Sequence, residues 1–167
     1  MTFKIIFMAD QEQHIYFLRK AIEIAREGMQ SGKGGPFGAI VVKNGNIIGS
    51  SSNEVTSTKD PTAHAEVQAI RKACQTLDHF QLEDCILYTS CEPCPMCLGA
   101  IYWARTKEVY YAALHSDAAK VDFDDQFIYE ELELSPENRS IPMHQYLQEE
   151  GIALFKEWDQ MEKKIPY

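Results

Sequence analysis

At 167 residues and 45% hydrophobic content the chain is long enough to bury the core of one domain without covalent staples, and 25 acidic against 16 basic residues leave a formal net charge of -9. That balance argues against a partner held through phosphates, which needs clustered Lys and Arg. The five cysteines, at 74, 85, 91, 94 and 97, place three in one seven-residue run, which excludes a disulfide framework and fits a reducing compartment.

Residues 1–8 hold one Lys and a short apolar run without a small-residue cleavage pattern, so they do not read as a secretory leader. No apolar run reaches bilayer length, and a cytoplasmic protein is expected. Residues 1–9 stand as an extension to a single domain spanning 1–167. Over residues 10–31, Ile15, Leu18, Ile22, Ala25 and Met29 recur at helical spacing, and Asp10 with Gln13 resembles a capping box. Gly32-Lys33-Gly34-Gly35 ends that helix. It does not read as a phosphate cradle, because no strand precedes it and no Gly-Lys-Ser/Thr ending follows. Residues 38–43 and 46–50 are β-rich and joined by Asn44-Gly45, a strong hairpin signal. Asn53, just beyond, has the local character of a turn residue.

A second helix is expected over residues 62–77, burying Val67, Ile70, Cys74 and Leu77. A strand at 85–90, an apolar helix at 95–105 and a strand at 107–113 follow. Tyr102 and Trp103 in that helix read by default as core. The alternation of helix and strand predicts an α/β domain, with a mixed or partly parallel sheet flanked by helices. Beyond it come a short acidic helix (123–132), a loop (135–138), a last strand (141–147) and a helix at 149–164 striped by Leu154, Phe155, Trp158 and Met161.

Two stretches carry chemistry: His64-Ala65-Glu66 and Pro93-Cys94-Pro95-Met96-Cys97. One imidazole and two thiolates make a zinc set of three protein ligands, which leaves a fourth tetrahedral position for water. Zinc lowers the pKa of that water toward about 7, and Glu66 is placed to handle its proton. Residues two apart on a helix face opposite sides, so His64 and Glu66 share a site only off a helix N-terminus, toward which helical side chains tilt. Asp60-Pro61-Thr62 is a start signal for one such helix, and Pro95 suits the first position of another. Two helix starts converging on one metal are therefore expected. The competing arrangement is a closed structural site in which Cys91 joins His64, Cys94 and Cys97, although such a site has no use for Glu66. His14, His79 and His144 carry no ligand spacing, and His115 is left without a role.

His-x-Glu with Pro-Cys-x-x-Cys resembles the zinc nucleobase deaminases of the cytidine and deoxycytidylate deaminase superfamily. Gly35-Pro36-Phe37-Gly38, the run from Asp60 to Glu66, the run from Thr89 to Arg105, Phe123-Asp124-Asp125 and the terminal tyrosine are similar to its bacterial guanine deaminase branch. The resemblance implies a five-stranded mixed sheet with helices on both faces and one Zn2+ per subunit on His64, Cys94 and Cys97. It also implies hydrolysis of guanine to xanthine and ammonia by zinc-bound hydroxide, with Glu66 as proton shuttle. Under it Asn53, Phe37, Ala65, Trp103, Asp125 and Tyr167 bind the base, and Cys91 is a non-ligand. It further implies a homodimer that exchanges C-terminal segments, about 149–167, over its active sites. The rivals are a deaminase of another base, such as transfer RNA adenosine, cytosine, cytidine or a triazine, and a zinc-stabilised binding module without turnover.

Overall fold

Successive strand residues point to opposite sheet faces, and this alternation sorts the core into two layers. In the computed structural model, which describes residues 2–167 with side chains from residue 11 onward, Ala39 and Val41 face one way while Ile40 and Val42 face the other. The four-stranded sheet has the order β2-β1-β3-β4, from β1 (Gly38–Lys43), β2 (Asn46–Ser52), β3 (Cys85–Cys91) and β4 (Glu108–Ala113). β1 pairs antiparallel with both β2 and β3, and β3 pairs parallel with β4. Asn44 and Gly45, at φ 50° and 75°, make the β1–β2 hairpin with the two left-handed residues that a tight turn needs.

Helix α1 (Thr2–Gln30) covers one face, packing Phe17 and Ala21 on Ile40, Val42 and Tyr88. On the other face lie α3 (Ala65–Leu77) and α4 (Pro95–Ala104), whose Ala65, Ala69, Ile70, Ala73, Ile101 and Ala104 meet Val41, Cys85 and Leu87. Cys74 packs against this second layer, as its helical position predicts. The short α2 (Val55–Thr58) and α5 (His115–Ala119) complete the first of two compact units, Met1–Asp125. The second, Gln126–Tyr167, contains α6 (Gln126–Glu133), one 3-10 turn (Pro136–Asn138) and α7 (Gln148–Gln160). No described helix is long and apolar enough to cross a membrane.

Several expectations are corrected. The sheet has four strands among the described residues, not five. Residues 141–147 form no ladder, since Pro142 lacks a donor and Leu147 sits at φ 56°. Helix α1 runs through Asp10 because residues 2–27 contain no Gly or Pro; the Asp10 side chain expected to cap it lies outside the described residues. Tyr102 and Trp103 are exposed rather than core, because α4 turns only Cys97, Ile101 and Ala104 inward. The stripe of Leu154, Phe155, Trp158 and Met161 is likewise exposed.

Candidate metal centre and active site

Two helix starts carry the chemistry. Asp60 Oδ1 accepts from the Thr62 backbone N–H at 2.8 Å and its hydroxyl at 2.7 Å, closing a turn that leaves His64 extended (φ -68°, ψ 152°) as the N-cap of α3. Because His64 is not yet helical, its ring and the Glu66 carboxylate reach the same site from the end of the helix. Cys94 stands likewise extended (φ -65°, ψ 167°) before Pro95, so Cys94 and Cys97 bracket the first turn of α4. The approach loop is pinned to the end of β4, where Glu92 donates its N–H to Ala113 O at 2.9 Å and its carboxylate accepts from the His115 N–H at 3.1 Å.

His64 Nδ1 lies 3.5 Å from Cys94 Sγ and 3.4 Å from Cys97 Sγ, and the three candidate ligand atoms are all within 4.8 Å of one another. Zn–S near 2.3 Å and Zn–N near 2.0 Å require a nitrogen-to-sulfur edge of about 3.5 Å in a tetrahedron, so this donor set fits zinc. The Cys94 thiol is drawn down to about 4, first by its hydrogen bond to Cys97 and then by His64. Cys97, on the other side of that bond and buried, is pushed up, so the pair surrenders its first proton easily. The contact with Cys94 raises His64. Cys91 is apart from this set. Its Sγ points to Leu114 O at 3.6 Å and burial pushes the thiol up to about 11, so it does not close the fourth position.

Glu66 is 5% exposed, with Oε2 at 3.4 Å from Cys97 Sγ and Oε1 accepting from the Thr89 hydroxyl at 3.1 Å. Burial raises its proton affinity above that of an ordinary carboxylate. Asn53, buried at the end of β2, accepts at Oδ1 from the Gly35 and Val55 N–H groups, each at 3.2 Å. With its acceptor engaged twice, the amide is fixed in orientation. Phe37 sits edge-on to Phe123 with centroids 5.0 Å apart. Asp125 Oδ1 lies 4.0 Å from His115 Nδ1, and its charge is felt by both His64 and Cys94.

Residues 11–113 match the family described as the cytidine and deoxycytidylate deaminase zinc-binding region. The chain belongs to this deaminase family. It is 56% identical over 154 residues to guanine deaminase of Bacillus subtilis (strain 168), covering 92% of this chain and 99% of that one. The X-ray structure of the Bacillus subtilis guanine deaminase superposes with a TM-score of 0.90 over 92% of this chain and 98% of its own. The transfer RNA-specific adenosine deaminase of Aquifex aeolicus (strain VF5) is 46% identical over 99 residues, 59% of this chain and 65% of that protein.

Within this deaminase fold the sequence-predicted residues divide into groups. His64, Cys94, Cys97 and Glu66 come together, and Ala65 is fully buried between the first and the last of them in sequence. Asn53, Phe37 and Asp125 have the contacts given above. Trp103 lies in the last turn of α4 and is 66% exposed; Tyr167, in the second unit, is 72% exposed. Sequence reasoning missed Thr89, Gly34 and Phe123 as individual contributors. Thr89 was visible as a hydroxyl on the apolar-facing parity of a strand. Gly34 carried no signal beyond ending a helix, yet a Cβ there would overlap the Asn53 side-chain oxygen and approach the Asn53 carbonyl oxygen to 2.6 Å.

Proposed function

We propose that this protein is a guanine deaminase, hydrolysing guanine to xanthine and ammonia in purine catabolism or salvage in the cytoplasm. The observation that carries this reading is a buried carboxylate, Glu66, set against a ligand group that numbers three among the described residues. A likeness that runs the length of the chain to a guanine deaminase supports the choice of base. Likeness to the transfer RNA enzyme stops at the common core, and a net charge of -9 suits a small base better than a polyanion.

His64, Cys94 and Cys97 would hold one zinc ion per subunit. When bound, the zinc supplies Lewis acidity that makes water a nucleophile near neutral pH. Glu66 takes a proton from the attacking water and delivers it to ring N3 as a carbon–oxygen bond forms at C2 of guanine. A second proton transfer to the exocyclic amine breaks the carbon–nitrogen bond, and ammonia leaves. The desolvated carboxyl suits this work, because a raised proton affinity lets it hold the proton between the two transfers. Asn53 offers Nδ2–H to an acceptor on the base, the Ala65 backbone orients it, and Phe37 and Trp103 wall it in. Asp125 and Tyr167 contact its open edge.

The assembly is a homodimer with exchanged C-terminal segments. None of residues 126–167 is buried, and Phe127, Ile141, Tyr146, Leu147, Phe155 and Tyr167 are all largely exposed. So much apolar surface on one short segment calls for a partner surface, and a second copy of this chain is the simplest one. The deciding experiment offers guanine, adenine, cytosine, cytidine and a transfer RNA anticodon stem to zinc-loaded protein and measures ammonia release. Guanine is expected to be turned over far faster than the rest; a preference for any other member overturns the assignment.

A further inference from the structure

On β3 the residues of odd number face α3 and α4, so Cys85, Leu87, Thr89 and Cys91 form one row in the core layer that supports the site. Three of the four are apolar or thiol side chains. The fourth, Thr89, is 0% exposed and therefore keeps a hydroxyl where Val would fill the same volume. A buried hydroxyl costs free energy unless it is hydrogen-bonded, and Thr89 Oγ1 donates to Glu66 Oε1 at 3.1 Å.

The surroundings make this bond informative. Thr89 is clamped in the sheet between Ala39 on β1 and Tyr111 on β4, and a β-branched side chain has few χ1 states, so the hydroxyl is a rigid donor. The two carboxylate oxygens of Glu66 have different neighbours: Thr89 at Oε1 and Cys97 Sγ at Oε2. Cys97 Sγ donates to Oε2 at 3.4 Å, and a thiol is a weak donor beside a hydroxyl. Beside the backbone hydrogen bond at Glu66, Thr89 is therefore the strongest side-chain donor to the carboxylate and the one that fixes its last torsion.

We propose that Thr89 is a positioning residue for the proton shuttle: its hydroxyl grips one oxygen of Glu66 and thereby aims the other at the ligand cluster. The inference rests on the deaminase reading of Glu66. It predicts that loss of the hydroxyl is felt in proton transfer and not in substrate binding, zinc binding or folding.

The test compares Thr89→Val, which keeps volume and removes the donor, with Thr89→Ser, which keeps the donor. For Thr89→Val the expected result is a kcat for guanine lower by about tenfold to a hundredfold, the scale of one hydrogen bond to a charged group. KM should stay within about twofold, because Thr89 acts through Glu66 and not on the bound base. Zinc content by elemental analysis and thermal midpoint should match wild type, and Thr89→Ser should recover most of kcat. Infrared difference spectra of the carboxylate stretch, with Glu66→Gln as the blank, should show the Glu66 band shifted in Thr89→Val and restored in Thr89→Ser. An unchanged kcat and unshifted band overturn the proposal, as does a fall in kcat explained by lost zinc or lost stability. If wild type does not act on guanine, the functional reading fails, while the infrared comparison still decides whether Thr89 holds Glu66.

Discussion

Cys91 and Cys94 are three positions apart in one run and have opposite fates. The extended backbone at Cys94 turns its sulfur toward His64, while Cys91, still in β3, turns its own toward Leu114 O. Their acidities follow: Cys94 falls to about 4 and Cys91 rises to about 11, so at neutral pH one is a ready ligand and the other a buried thiol. Cys91→Ser should therefore keep about one zinc per chain, whereas Cys94→Ser should lose most of it; elemental analysis after gel filtration checks both. Glu66→Gln, by contrast, keeps volume and metal but removes the proton carrier. Its guanine turnover is expected to drop by about a hundredfold to ten-thousandfold at unchanged zinc content, and near wild-type xanthine formation would remove Glu66 from the mechanism.

At the scale of elements, what was legible in the sequence was what short-range rules specify. Hairpin, helix faces and both helix starts follow from Asn44-Gly45, from 3.6-residue spacing and from Pro95 at a first helical position. The site was legible for the same reason, since each motif lies at one helix start. Features that need a distant partner were not. Residues 141–147 are expected as a last strand, but a strand exists only with a ladder, and none forms among the described residues. Helix α4 is apolar all round, so periodicity cannot say which side it buries, and Tyr102 and Trp103 proved exposed. The loop before β1 is the sharpest case. Gly34 looks like a helix terminator, yet its missing side chain is what lets the Gly35 N–H reach Asn53 Oδ1. Gly34→Ala must displace both loop and amide, so KM for guanine is expected to rise by about tenfold and the thermal midpoint to fall by a few degrees while zinc content holds. Wild-type KM would show that Asn53 needs no such support.

The whole molecule raises a question of which chain serves which site. A segment of 42 residues with no buried position gains little by folding alone, and the proposed dimer would cover its apolar side chains. The proposed exchange of C-terminal segments would bring the last residues of one chain to its partner's active site; without exchange they would serve their own. Two defective variants separate these cases: Glu66→Gln, which lacks the shuttle but keeps its tail, and a chain lacking residues 166 and 167, which keeps the shuttle. Each is expected to be nearly inactive on guanine by itself. Co-refolding at equal amounts gives mixed dimers in about half the population by random pairing. If tails cross, every mixed dimer has one site with a native Glu66 under an intact Tyr167 from its partner, and about a quarter of wild-type activity returns. If tails serve their own chain, each site in the mixed dimer still lacks one component and no activity returns. A truncated chain that is fully active by itself would instead remove Tyr167 from the site, whatever the subunit arrangement.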